Sequence, residues 1–268
     1  MASATTTIAM WLLSLTILVP VVIVFLNSVK SQGEADLMNF ALPASWRFEN
    51  FLIVIERGRI LRSYMNSLTM SVASGAILLL ISSLSAFVLS RNKSRLHRGI
   101  LAFFLIGLFA PLNMAPVFNT VRGLGLINTR IGIIMMFIAV LIPFSTFLFY
   151  NFIDKLPKEL DEAAIIDGCG PFRAFWSVML PLLKPVSVTV LILNFVGTWN
   201  DFMIPLYLLY DSAKWPITLT IYDFLGRFSR DWSLVSANIV LTILPVLIMY
   251  VLGQSYIIKG MVSGSIKG

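Results

Sequence analysis

Long apolar runs, each ended by charge or a turn, constrain this chain more than any other feature. Six of them, at about residues 8–27, 67–90, 99–121, 131–153, 185–209 and 235–258, hold a single ionisable carboxylate between them, Asp201. Hydrocarbon offers no water to unpaired backbone N–H and C=O groups, so only helices or closed barrels cross it. A helix needs roughly 20 mostly apolar residues to span ~30 Å of bilayer core, and each run meets that length. The expected fold is all-α: a polytopic membrane protein, one domain over residues 1–268, with six transmembrane helices. A polar loop, 154–184, interrupts the apolar pattern between the fourth and fifth runs.

Composition narrows the function. With 58% hydrophobic and only 12% charged residues, the chain lies well outside the range of soluble domains. Its net charge of +7 sits in separate loops and forms no extended patch, which points to lipid headgroups and away from nucleic acid. One cysteine, Cys169, allows no internal disulfide, and one histidine, His97, provides no cluster for a metal. The first run lacks a basic leader and a small-residue cleavage site before Lys30, so it reads as a permanent helix, not a signal peptide. The 20 basic residues divide evenly between the two sides. Short loops decide orientation, and Arg91–Arg98 carries four basic residues against two in Arg122–Arg130. Both termini and the loop 154–184 are therefore expected on the cytoplasmic side.

Within this frame a few residues carry chemistry. Lys30–Arg62 is too apolar for a disordered linker and is expected to lie on the bilayer or on neighbouring helices. In the second run Ser67, Ser71 and Gly75 recur every four residues, a spacing that lets helix backbones approach closely; lining of a polar pathway is the other reading. The third run holds Pro111 and Pro116, which kink or break a helix, with Asn113 between them facing either a solute or a packing kink. The fifth run ends in Trp199-Asn-Asp-Phe-Met-Ile-Pro205. An ionisable group in a span is a functional candidate by default, so Asp201, with Trp199 and Asn200, is a candidate for the solute pathway. A helix-to-helix hydrogen bond is its alternative role. Trp199, Phe118 and Tyr207 also have faces on which a sugar ring stacks, although aromatic residues commonly anchor helices at membrane interfaces.

The polar island Pro157–Pro171 has the pattern of a short helix. Pro157 suits a first turn, and Glu159, Asp161 and Glu162 place negative charge at the positive end of the dipole. Leu160, Ala163, Ala164 and Ile165 supply an apolar face, and Gly168 and Gly170 end the helix before Pro171. A small apolar face rimmed by charge suits a groove on another protein; a helix resting on lipid is the alternative, against which stands its scarcity of Lys and Arg.

Here the chain resembles a known family. Glu162-Ala-Ala-Ile-Ile-Asp-Gly168, followed after nine residues by Val178-Met-Leu-Pro181, is similar to the EAA loop of ABC-importer permease subunits, with Val178 replacing the usual Ile. Trp199-Asn-Asp-Phe-Met-Ile-Pro-Leu206 and the ending Gln254–Gly268 resemble motifs of the carbohydrate importers related to the maltose permease pair. The resemblance implies a type I importer permease in the prokaryotic inner membrane. Glu162, Ala163, Ala164, Asp167 and Gly168 would form a coupling helix docked on cytoplasmic ATPase subunits. It further implies a second, homologous permease subunit and an extracytoplasmic solute-binding protein that delivers a carbohydrate. No catalytic residue or metal site is expected, and no cofactor in this chain, since it has no phosphate-binding loop; ATP and Mg would belong to the ATPase partner. A permease for another solute stays open. An ion-coupled transporter or an intramembrane enzyme would need more ionisable groups in the spans than Asp201.

Overall fold

The computed structural model describes residues 4–225 and 230–262, with side chains described from Thr6 to Gln254. Among them there is no β-strand, only an isolated bridge between Leu225 and Arg230. Two compact units divide the chain: one from the described N-terminal residues to Met65 together with Trp215–Leu247, the other from Asn66–Lys214 with the described residues after Leu247.

In the first unit, α1 (Ala4–Ser28) is apolar on every side, with Trp11, Leu13 and Ile17 all more than 65% exposed. Such a surface is stable only against lipid or protein. The segment after α1 is firmly knotted. Lys30 is buried and its Nζ donates to the Asn39 carbonyl (2.8 Å) and Oδ1 (3.1 Å). Asn50 Nδ2 donates to the carbonyls of Ser28 and Lys30, each at 2.9 Å. Glu34 accepts from the Ser31 hydroxyl (2.6 Å) and from the amides of Ser31 and Ala44. The Ser31 hydroxyl, followed by the two amides, pulls the Glu34 carboxyl down from 4.5 to about 2. The remaining elements are α2 (Gln32–Ala35), α3 (Glu49–Arg57) and a 3-10 turn over Ile217–Asp223.

Two long helices, α4 (Ile60–Arg91) and α12 (Trp232–Val262), each begin in the first unit and run on into the second. The second unit adds α5 (Arg95–Gly107), α6 (Met114–Gly123), α7 (Arg130–Ile153), α8 (Glu159–Ile166), α9 (Pro171–Leu182, with a π-helical stretch over Phe175–Met179), α10 (Lys184–Asn200) and α11 (Met203–Leu208). Its core is Leu78 and Ala86 of α4, Phe149 and Ile153 of α7, Phe175 and Met179 of α9, and Val186 and Val190 of α10. The Ser71–Gly75 stripe packs on α10. Asn194 Nδ2 donates to the Ser71 carbonyl (2.9 Å), Thr198 Oγ1 donates to Ser71 Oγ (2.8 Å), and a Cβ on Gly75 would lie 2.8 Å from Asn194 Nδ2. Close approach therefore accounts for the stripe, which needs Gly75 for clearance and small hydroxyls for bonding.

Four helices among the described residues are long and apolar enough to cross a membrane: Thr6–Ser28, α4, α7 and Trp232–Gln254. A fifth crossing is available to α9 and α10, bent by 76° at Leu183. The expected third span, 99–121, consists of α5 and α6 with non-helical residues 108–113 between them. Pro111 lies in this break. Pro116 sits in the first turn of α6, where its missing amide costs no helical bond. The expected fifth span, 185–209, stops being helical at Asn200, and Asp201 and Phe202 separate α10 from α11.

Candidate functional site

Pro157 stands two residues before α8, whose eight residues start at Glu159 with three carboxylates in the first turn. Its C-terminal end is a complete Schellman turn. The Gly168 amide donates to the Ile165 carbonyl and the Cys169 amide to the Ala164 carbonyl, both at 2.9 Å. Gly168 has φ of +77°, the left-handed conformation that such a cap requires. Gly170 then caps α9, and Pro171 starts that helix at a position where proline is well suited. The two glycines and Pro171 thus form a tight joint between two helices, more than a simple stop.

The apolar residues of α8 do not share one face. Ala164 is buried and Leu160 half-buried against the protein, one helical turn apart. Ala163, Ile165 and Ile166 point outward with Glu162, and Ile166 is 85% exposed. Every side chain from 163 to 166 is apolar, so periodicity alone leaves the inward pair undecided. Asp167 and Gly168 are exposed at the helix end. Phe172 and Trp176 of α9 extend the outward apolar surface and meet edge to face, with ring centroids 5.9 Å apart. Of the five residues expected to dock on a partner, Glu162, Ala163, Asp167 and Gly168 are accessible. Ala164 supports α8 from beneath.

Two ion pairs fasten this end, and sequence reasoning missed both. Arg91 Nε lies 2.6 Å from Asp161 Oδ2, and Lys93 Nζ lies 2.9 Å from Asp154 Oδ1. The Asp154 carboxylate raises the Lys93 ammonium above its ordinary range. Two of the four basic residues of Arg91–Arg98, expected at lipid headgroups, therefore bind carboxylates of this chain. Their partners lie 70 and 61 residues further along, too far for any local pattern to reveal.

The candidate pathway residues take separate local roles. Asn113 Oδ1 accepts from the Ala115 amide (3.1 Å), capping α6, and the residue borders a cleft of ≈ 580 Å³ with Phe103, Phe104, Pro111, Pro116 and Pro143. Trp199 is buried and stacks on Phe195 at 5.2 Å, so its face is closed to a sugar. Asn200 is exposed and its Nδ2 donates to the Val196 carbonyl. Asp201 Oδ1 accepts from the Ile204 amide (2.9 Å), which holds the first turn of α11. Tyr207 is exposed and Phe118 half-buried.

Residues 2–259 match the family described as binding-protein-dependent transport system inner membrane component. The chain is 36% identical over 258 residues to the diacetylchitobiose uptake system permease protein NgcG of Streptomyces coelicolor, covering 95% of this chain and 85% of that one. It is 32% identical over 253 residues to the melibiose/raffinose/stachyose import permease protein MelC of Bacillus subtilis, covering 93% and 91%. Among solved structures, it superposes with a TM-score of 0.82 and 26% identity on a chain of a bacterial ABC transporter involved in the import of the acidic polysaccharide alginate, covering 94% of this chain and 95% of that one.

Proposed function

Because this chain belongs to the family of binding-protein-dependent transport system inner membrane components, we infer that it is a membrane-spanning subunit of an ATP-driven importer whose solute is a sugar or oligosaccharide. In this reading a solute-binding protein delivers the carbohydrate on the extracytoplasmic side of the prokaryotic inner membrane. A second, homologous permease subunit completes the pathway. Separate cytoplasmic ATPase subunits, with their ATP and Mg, supply the work, and this chain itself catalyses nothing. Both termini and the loop 154–184 lie on the cytoplasmic side, where the ATPases are.

The observation that carries the coupling role is α8 itself. A helix of only eight residues is marginal in water by itself, yet here both ends are fastened, by the Arg91–Asp161 pair and by the Schellman turn at Gly168. The fastening leaves Glu162, Ala163 and Ile166 turned outward. A rigid, capped helix with a small apolar patch and a carboxylate rim loses little entropy on entering a groove. Similarity to permeases named for chitobiose and for raffinose-type sugars supports a carbohydrate solute.

The test is a mild-detergent purification of the chain from its native membrane, followed by reconstitution. Recovery of an ATPase, a second permease and a sugar-binding protein is expected, with uptake that requires ATP. Glu162→Lys, which reverses the charge on the outward rim, is expected to insert normally and to lose ATPase association. Transport by this chain alone, without ATP, would overturn the reading.

A further inference from the structure

We propose that Arg91 is a positioning residue that locks α8 to the ends of α4 and α7, so that the three move as one body when α8 is displaced. The proposal rests on the coupling role inferred for α8. With 32 residues at about 1.5 Å each, α4 measures about 48 Å against the ~30 Å of a bilayer core. Its excess length carries Arg91, the last helical residue, to the level of α8.

One guanidinium there serves three elements. Nη1 donates to the carbonyl of Ile153, the last residue of α7, at 3.3 Å, and Nη1 and Nη2 both donate to the Leu156 carbonyl at 3.4 Å. The Ile153 carbonyl, which also accepts from the Leu156 amide at 3.0 Å, lies at the negative end of the α7 dipole, where a cation is favoured. Nε lies 2.6 Å from Asp161 Oδ2 in the first turn of α8, an ion pair by proximity while the Nη groups make the hydrogen bonds, and the two side chains are only 13% and 22% exposed. Salt therefore screens this pair less than a surface bridge. A flat fork of donors is what the geometry uses, and a lysine ammonium cannot reproduce it.

Asp161 is half-buried on the inward side of α8, so the pair acts through the placement of the helix without itself meeting a partner. The neighbouring Lys93–Asp154 bridge is about half exposed and does not involve α8. It provides a control of the same charge type, two residues further along, without the linkage.

The experiment uses the complete transporter in liposomes and reads three quantities: ATPase retained per permease, basal ATP turnover, and solute taken up per ATP hydrolysed. Arg91→Gln and Asp161→Asn leave the outward residues Glu162, Ala163 and Ile166 and the turn at Gly168 unchanged, and are expected to retain most of the ATPase and its basal turnover. Uptake per ATP is expected to fall by about fivefold or more, the lower end of typical coupling between sites. Arg91→Lys should fall in between, and Lys93→Gln should match the wild type. The double variant Arg91→Gln/Asp161→Asn should be no worse than Arg91→Gln, since the two residues act through one contact. Wild-type uptake per ATP in both single variants overturns the linkage, as does a loss of ATPase in step with the loss of uptake. If Arg91→Gln does not assemble, Asp161→Asn decides, because it leaves the bonds to Ile153 and Leu156 in place. A wild-type chain that recruits no ATPase overturns the coupling role and the linkage together; coupled wild type beside coupled variants overturns the linkage alone.

Discussion

Replacing Gly168 by alanine is expected to loosen α8 through the backbone alone. No heavy atom lies within 4 Å of the position a Cβ would take at Gly168, so the new methyl meets no obstacle. The penalty comes from φ of +77°, since a left-handed conformation costs an L-residue about 1–2 kcal/mol. Removing a glycine narrows the unfolded ensemble and returns about 0.4–1 kcal/mol. The net is about 1 kcal/mol, or roughly a fivefold shift in the opening equilibrium. Hydrogen exchange reads it directly: the amides of residues 168 and 169, which close the Schellman turn on Ile165 and Ala164, should exchange about fivefold faster. Gly170 is the control. It also has open space for a Cβ but lies at φ of −67°, so Gly170→Ala should leave those amides protected. Equal exchange in the two variants would refute the argument from backbone conformation. Uptake by Gly168→Ala should fall by a factor no larger than the loosening of the helix.

Gly75→Val should destabilise the α4–α10 contact by about 1–3 kcal/mol through overpacking against Asn194, measured as a lower Tm in detergent; an unchanged Tm would mean the helices separate freely there. Asp201→Asn keeps an oxygen for the Ile204 amide and should transport almost normally, whereas Asp201→Ala should cost about 1 kcal/mol of stability. Complete loss of uptake by Asp201→Asn with intact assembly would place the residue in the solute pathway. The Glu34 carboxyl is held below its ordinary value, so its stabilising contribution is complete above pH 4.5 and lost as pH falls through about 2. Amide protection around Ser31 and Ala44 should decline across that window, and Glu34→Gln should abolish the pH dependence while lowering protection at neutral pH.

How much of this was legible in the sequence depends on the range of the interaction. The proline break near residue 111 and the glycine stop at 168 are local properties of the backbone, and each appears where the residues put it. The stripe at Ser71 and Gly75 signalled close packing, and α10 is what packs there. The end of the fifth run was less legible, because hydropathy continues through Phe202–Leu209 while the backbone turns at Asp201. Trp199 carried a surface that suits a sugar, but Phe195, one turn earlier, covers it. The face that α8 turns inward and the Arg91–Asp161 pair depend on contacts across 70 residues, and no spacing rule reaches that far.

The 76° bend at Leu183 makes α9 and α10 a bell crank. The shorter arm, Pro171–Leu182, is about 18 Å long at 1.5 Å per residue, so a push of ~3 Å at its tip swings it through roughly 10°. Only Asp167–Gly170 separate that tip from α8, and Phe175 and Met179 key the arm into the core. A small stroke delivered at the joint would thereby be converted into angle, and lengthening the joint by inserted glycines would turn the stroke into slack.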